Sequence, residues 1–335
     1  MIKQALIGLT AAALLVGCGG DSKDNTAQKS AQAPQTAKSE GVKTLGLVQL
    51  VEHPALDAAS RGIQDAVKAR GLNVTFDLQN AQADQSNLAN IAQRFVSQEY
   101  PLIFAIATPA AQTMANATKI TPIVATAVTD FATAKLVKSS EKPGTNVTGS
   151  SDLNPIGAQL DLLMQFVPNA KTIGTIYNSS EINSQFQIDL LKKEMTRYNV
   201  KLVEGTVSSV NDVQQVAQSL VGKVDAIYVP TDNIIASAMP VLAKITTPAK
   251  VPVITGEEGM ARGGGLATVG LDYYELGKIA GNMGADILEG KSKPEDMPIR
   301  FQKQFKVKIN EDTLKELGLT VPEPIKDKAE MMKLN

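Results

Sequence analysis

Residues 44–76, TLGLVQLVEHPALDAASRGIQDAVKARGLNVTF, read as strand, polar loop, helix and strand. From Thr44 to Val51 nearly every position is apolar, the pattern of a strand covered on both faces. Glu52-His53-Pro54 ends it. Leu56, Ala59, Ile63, Ala66 and Val67 then recur at helical spacing, with Asp57, Arg61, Gln64, Asp65 and Lys68 on the opposite side. Gly71 stands where a helix C-cap belongs, and Val74-Thr75-Phe76 opens the next strand.

The same grammar runs through the rest of the chain. Residues 84–100 carry a helical pattern, and Pro101–Ala107 is a buried strand leading into Thr108-Pro109-Ala110-Ala111. There Thr108 is suited to an N-cap and Pro109 to the first helical position. Thr121–Val128 is a further strand, closing at Thr129-Asp130-Phe131. In the second half, strands are expected at Lys171–Tyr177, Asp225–Pro230 and Val251–Glu257, with helices between them. Thr44 corresponds to Thr172 and Pro122 to Pro252, offsets of 128 and 130 residues. Two α/β halves in the same order, at nearly constant offset, are the sequence form of a bilobal protein.

Composition narrows the function. A chain of 335 residues can bury two cores, and 43% apolar with 20% charged residues is ordinary for a soluble globular protein. The net charge of −1 offers nothing to nucleic acid. One cysteine excludes an internal disulfide and a cysteine-based zinc cluster, and one histidine excludes a histidine-rich metal site. No cofactor or metal is expected. Met1-Ile2-Lys3 followed by an uncharged run to Gly20 has the form of an export signal, shorter than the roughly 20 apolar residues of a membrane-spanning helix. Leu15-Val16-Gly17-Cys18 resembles a bacterial lipobox, which makes residues 1–17 a signal peptide and Cys18 a lipidation site. Residues 18–43, rich in Ser, Gln, Ala, Lys and Asp, are expected to form a flexible tether.

Ligands of open parallel sheets sit beyond the carboxyl ends of the strands. If the halves face each other, one cleft is lined by Glu52-His53, Thr108 to Ala110, Asp130-Phe131, Asn178 to Ser184, Thr231-Asp232-Asn233, Glu257 and Asp272-Tyr273. These loops carry hydroxyls, amides and carboxylates, but no catalytic constellation. His53 has no Gly-x-Ser-x-Gly serine beside it, and Gly263-Gly264-Gly265 lacks both phosphate-loop contexts, so an enzyme is not expected.

The segments VEHPALDAASRGIQDAVKARG (51–71), AIATPAAQTMANAT (105–118), Ile227 to Asn233 and GLDYYELGKIAG (270–281) resemble the substrate-binding lipoproteins of bacterial ABC importers, in the branch associated with aromatic amino acids. The resemblance spans Thr44 to Gly290. It implies a type I periplasmic-binding-protein fold, α/β, with two Rossmann-like lobes of parallel sheet, three crossovers, a hinge and an interlobe cleft. Lobe 1 is then 44–150 plus about 273–293, and lobe 2 is 151–272 plus about 294–335, with the final segment hard to place. It further implies a monomeric receptor, lipid-anchored and facing the periplasm or cell exterior, that hands its ligand to a permease and its ATPase.

A free amino acid needs an anion site, a cation site and a side-chain pocket. The helix start at Thr108 and Ala110 suits an α-carboxylate, with further donors from the Ser180, Asn183 and Ser184 segment; Asn178 and Thr231 are further ligand-binding candidates. For the α-ammonium the candidates are Asp130, Asp232, Glu257 and Asp272, of which Asp232 or Asp130 is favoured. Glu52 and His53 are expected to line the cleft, and Phe131, Tyr273 and Tyr274 to bound an aromatic pocket. Another small solute, such as a sugar or nucleobase-like molecule, and a ligand-presenting receptor for a sensor kinase are the alternatives. The absence of tryptophan weighs against sugar stacking.

Overall fold

The computed structural model describes residues 41–333; the export signal, Cys18 and the tether as far as residue 40 lie outside the described residues. The described chain opens on β1 (Lys43–Gln49), buried from Leu45 onward on both faces, and turns through His53 into α1 (Pro54–Ala69). Pro54 fixes the first helical φ where no N–H is needed. The first half continues with β2 (Val74–Asn80), α2 (Gln85–Ser97), β3 (Ile103–Ile106), α3 (Thr108–Ala117), β4 (Ile123–Val128) and β5 (Val147–Ser151). The second half runs α4 (Ile156–Phe166), β6 (Thr172–Asn178), α5 (Ile182–Met195), β7 (Lys201–Val207), α6 (Val213–Leu220), β8 (Ala226–Val229), α7 (Asn233–Ser237), α8 (Met239–Thr246), β9 (Val253–Thr255), α9 (Glu258–Arg262) and β10 (Ala267–Gly270). Last come α10 (Tyr273–Leu288), β11 (Arg300–Phe301), β12 (Lys306–Asn310), α11 (Glu311–Leu317) and β13 (Ala329–Met332).

These strands form two sheets among the described residues. One has the order β2-β1-β3-β4-β5-β11 and is parallel throughout. The other has the order β7-β6-β8-β9-β10-β12-β13 and is parallel except where β12 meets β10. Each therefore repeats the 2-1-3-4-5 arrangement, in which strand order reverses beside the first strand and opens a crevice at the carboxyl ends. The segment after residue 310, unplaced by its sequence, extends the second sheet.

The chain passes between the sheets three times: after β5, after β10 and after β11. β11 pairs with β5, so the third passage follows Phe301, later than the residue near 294 expected from the resemblance. Hydrogen bonds tie the three passages together. Leu271 N–H donates to Asn154 Oδ1 (3.3 Å), and Gln302 Nε2 donates to the Asp272 carbonyl (2.6 Å).

After the second passage, α10 lies against α1 so closely that backbones touch through glycines. A Cβ on Gly277 would sit 2.1 Å from the Ala59 carbonyl oxygen, and one on Gly62 would sit 2.1 Å from that of Tyr274. Neither obstacle is a side-chain end that could swing away. Gly157 in α4 is different, because its Cβ would meet only the movable ends of the Glu194 and Arg197 side chains. Gly277→Ala is therefore expected to cost about 1–3 kcal/mol by overpacking, whereas Gly157→Ala is expected to be neutral or to stabilise by up to about 1 kcal/mol through helix propensity. Urea unfolding of the two variants beside wild type checks this; equal midpoints would contradict the α1–α10 packing.

Candidate functional site

The carboxyl ends of both sheets meet around a tight cavity, about 10 Å³ as its side chains stand. From the first sheet it takes His53 and Leu56 at the start of α1, Ala127 at the end of β4 and Thr129 just after it, and Asp152 after β5. From the second it takes Asn183, Thr231, Asp232, Asn233, Ala236, Glu257 and Met260, and Tyr273 closes it from the second passage. Three of these residues are carboxylic acids and none is Lys or Arg.

How each acid is held decides what it can still bind. Asp232 N-caps α7: Oδ1 accepts the Ile235 N–H (2.9 Å), while Oδ2 accepts the Asn178 N–H (2.6 Å) and the Ser184 hydroxyl (2.7 Å). Glu257 N-caps α9, with Oε1 on the Met260 N–H (2.6 Å) and Oε2 on that of Gly259. Asp152 is bound by two hydroxyls: Thr129 donates to Oδ1 (3.0 Å) and Tyr273 to Oδ2 (2.7 Å). Behind the wall, buried Glu181 takes the Nδ2 groups of Asn183 (3.0 Å) and Asn233 (2.5 Å) on Oε2.

Burial governs the protonation of these groups. Desolvation raises Glu257 to about 7, against its two backbone donors. It raises Glu181 to about 8, helped by repulsion from Asp232. Asp152 and Asp232 are raised for the same reason. His53 moves the other way, to about 4, because burial disfavours its cation more than the bond to Asn233 supports it. Neutral His53 donates Nε2–H to Asn233 Oδ1 (3.4 Å), a bond that joins elements of the two sheets.

Several buried polar atoms here have no protein partner: His53 Nδ1, Asn183 Oδ1, Thr231 Oγ1, Glu181 Oε1 and Thr108 Oγ1. Such atoms are uncommon in folded proteins and call for an explanation. Thr108 was expected to cap α3, but Ala107 is the N-cap and Thr108 the first helical residue, so its hydroxyl is released from capping. Ala107 (φ 86°) and Ala127 (φ 54°) hold left-handed conformations at the ends of β3 and β4, strain of a kind that clusters at ligand sites.

Of the residues singled out in the sequence, His53, Asn183, Thr231, Asp232, Glu257 and Tyr273 meet at the cavity. Ser184 and Asn178 stand one step behind through Asp232. Thr108 and Ala110 are buried at the start of α3. Ser180 is exposed and, with Asn178, faces a wider open groove of about 690 Å³. Glu52 is exposed. Asp130 accepts the Thr133 N–H (2.6 Å) and Asp272 caps α10 from an exposed position, so both serve as caps outside the cavity lining. Phe131 lies in the core of the first sheet. Asp152 and Thr129 were not among the expected cleft residues, and Asn233 and Glu181 lay in expected cleft loops without a role of their own. Among the described residues no group of His, Cys, Asp or Glu forms a metal site, and no helix is long and apolar enough to cross a membrane.

A sequence profile of the family described as ABC transporter substrate binding protein matches residues 44–333. The chain is 43% identical to the tyrosine-binding protein of Clostridioides difficile over 323 residues, 95% of this chain and 92% of that protein. A Streptococcus pneumoniae ABC domain solved in complex with L-Trp superposes with a TM-score of 0.84 at 38% identity, covering 87% of this chain and 99% of that one. A ligand-free, open substrate-binding protein from Clostridium difficile gives 0.67 at 46% identity, covering 88% and 100%. The two mainly parallel sheets thus form a type I periplasmic-binding-protein fold.

The buried acids fix a pH dependence. An acid with a raised pKa binds more protons folded than unfolded between its two values, so stability falls as pH rises through that interval. The interval is 4.5 to about 7 for Glu257 and 4.5 to about 8 for Glu181. His53 acts oppositely; its contribution is complete above 6.5 and lost as pH falls through about 4. From pH 6.5 to 8 only the acids act, so the Tm of ligand-free protein is expected to fall, and Glu181→Gln to flatten the upper part. A Tm that rises across this interval would contradict the burial of these acids.

Proposed function

The chain belongs to the ABC transporter substrate-binding protein family, and we propose that it captures an aromatic amino acid in this cavity and delivers it to its permease. The observation that carries the reading is a cavity walled by Asp152, Asp232 and Glu257 without a cationic side chain. A buried charge needs a partner of opposite sign, and the α-ammonium of an amino acid supplies one. Of the three acids, Asp152 is the one whose side-chain partners are hydroxyls, which can turn to share it, rather than N–H groups of a helix start, so it is assigned the ammonium, with Glu257 beside it.

The α-carboxylate is assigned to the start of α3. Its residues are not in the lining itself, but Ala107 just before it donates to the Thr126 carbonyl, next to Ala127 of the lining; the positive end of this ten-residue helix, the buried Thr108 hydroxyl and the Ala110 N–H supply the donors. Leu56, Ala127, Ala236 and Met260 give the cavity apolar walls, and a methionine sulfur suits an aromatic ring. The relatives named for tyrosine and solved with tryptophan support the same ligand class.

The structure superposes better on the tryptophan-bound relative than on the open one of higher identity, which supports a closed arrangement. The two sheets are then lobes, residues 44–150 with α10 and β11 against the remainder, moving about the three passages as a hinge. Ligand favours closure by touching both lobes at once. Cys18, lipidated after removal of residues 1–17, would hold this monomeric receptor at the outer face of a membrane.

Calorimetry with L-Tyr and L-Trp tests the reading. Saturable 1:1 binding is expected, and Asp152→Asn is expected to weaken it about tenfold or more by removing a charge-assisted hydrogen bond. Binding of a sugar or nucleobase, with no heat from any amino acid, would overturn it.

A further inference from the structure

The neutral end of the cavity has a polarity that the amino-acid reading alone does not require. Glu181 Oε2 takes the Nδ2 groups of both Asn183 and Asn233, and Asn183 Nδ2 is also 3.2 Å from the Thr231 carbonyl oxygen. Each amide is thereby fixed in one of its two flips, with nitrogen toward Glu181 and oxygen away from it. Asn183 Oδ1 is buried without a partner. Asn233 Oδ1 has only the long bond from His53 Nε2, and that bond leaves His53 Nδ1 as a bare acceptor, also buried and unpartnered. Three elements thus present acceptors to one end of the cavity, and the Thr231 hydroxyl, unpartnered as well, is free to turn either way.

This end stands apart from the place assigned to the ammonium. Glu257 follows β9, Asn233 follows β8 and Asn183 follows β6, and these three strands are neighbours in the second sheet. The strands that carry Glu257 and Asn183 are two spacings, about 10 Å, apart, comparable to the reach of an aromatic amino acid from its nitrogen to the far edge of its ring. Asp232, the acid of the lining next in sequence to Asn233, already accepts from Ile235, Asn178 and Ser184, and burial keeps His53 neutral. What remains at this end is a neutral set of acceptors, suited to one neutral donor.

We propose that Glu181 is a positioning residue that aims the amide oxygens of Asn183 and Asn233 at a hydrogen-bond donor on the ligand's own ring, so that the site selects tyrosine and tryptophan over phenylalanine. The inference rests on the amino-acid reading above and adds to it the side-chain chemistry. A tyrosine hydroxyl or a tryptophan indole N–H satisfies the acceptors. Phenylalanine leaves them buried and unpaired, the situation in which a site built for a hydrogen bond rejects an analogue that lacks it.

The test is calorimetry of wild type with L-Tyr, L-Trp and L-Phe, followed by the variants. Tyrosine and tryptophan are expected to bind about 10- to 100-fold more tightly than phenylalanine. Glu181→Ala frees both amides to turn and is expected to bring the Tyr/Phe ratio down toward one while phenylalanine binding persists. Glu181→Gln, whose amide oxygen can still accept both Nδ2 groups, is expected to keep most of the ratio. A merely structural role for Glu181 would weaken all three ligands together and leave the ratio unchanged. Should Glu181→Ala not fold, Asn183→Ala removes one oxygen directly and is expected to lower the same ratio. Equal affinity of wild type for tyrosine and phenylalanine would overturn the inference while leaving the amino-acid reading standing; no binding of any of the three would overturn both.

Discussion

Carboxylates taken out of water without a cation beside them are the constraint on which this structure turns. Asp152, Asp232 and Glu257 face one cavity, with Glu181 behind its wall, and no Lys or Arg lines it. An isolated buried charge is too costly to keep, so each acid is stabilised in another way. Asp232 and Glu257 become helix caps that collect backbone N–H groups, and Asp152 collects two hydroxyls. These bonds do not cancel the desolvation, and the acids remain raised above their ordinary values. A ligand that brings its own positive charge is the missing counter-ion, and the closed arrangement gains more from it than an open, hydrated one could.

The fold delivers the acids to one place. Both sheets end their strands at the cavity, and the acids follow β5, β8 and β9. Asp152 has a second connection, because its partner Tyr273 begins α10 directly after the second passage between sheets. Asn154, two residues on, accepts from Leu271 in that same passage. The group assigned to the ammonium is therefore wired to the segments about which the lobes would move, which gives ligand binding a short physical route to closure. Apolar contacts also cross between the sheets: Ile182 of α5 packs on the first sheet's core and Ala83 on a core of the second.

Much of this was legible in the sequence. The unbroken apolar runs around Leu47, Phe104 and Ile227 mark strands covered on both faces, and Pro54 and Pro109 mark helix starts. The duplicated order then locates a cleft at the strand ends and brings His53, Asn183, Thr231, Asp232, Glu257 and Tyr273 together. Other residues were not legible for physical reasons. Asp152 follows Val147-Thr148-Gly149-Ser150-Ser151, a strand of small and hydroxyl side chains without the apolar run that announces its neighbours. The signal that could have found it is the recurring acid just beyond a strand end. Asp130 and Asp272 show the limit of that signal, since an acid before a helix or turn serves equally well as a cap. Glu181 acts through Asn183 and Asn233, a relation between side chains 52 residues apart for Asn233 that spacing along the chain does not encode.

The most direct measurement compares the calorimetric affinity of the wild-type protein for L-tyrosine with that for its deaminated analogue, 3-(4-hydroxyphenyl)propionate, at pH 7.5. The two share ring, hydroxyl and carboxylate and differ in the ammonium alone. If buried carboxylates are what the ligand answers, the analogue binds weaker by about two orders of magnitude or not detectably, since its loss leaves an acid both buried and unpaired. Comparable affinity for the two would contradict the assignment of the cavity to an amino acid.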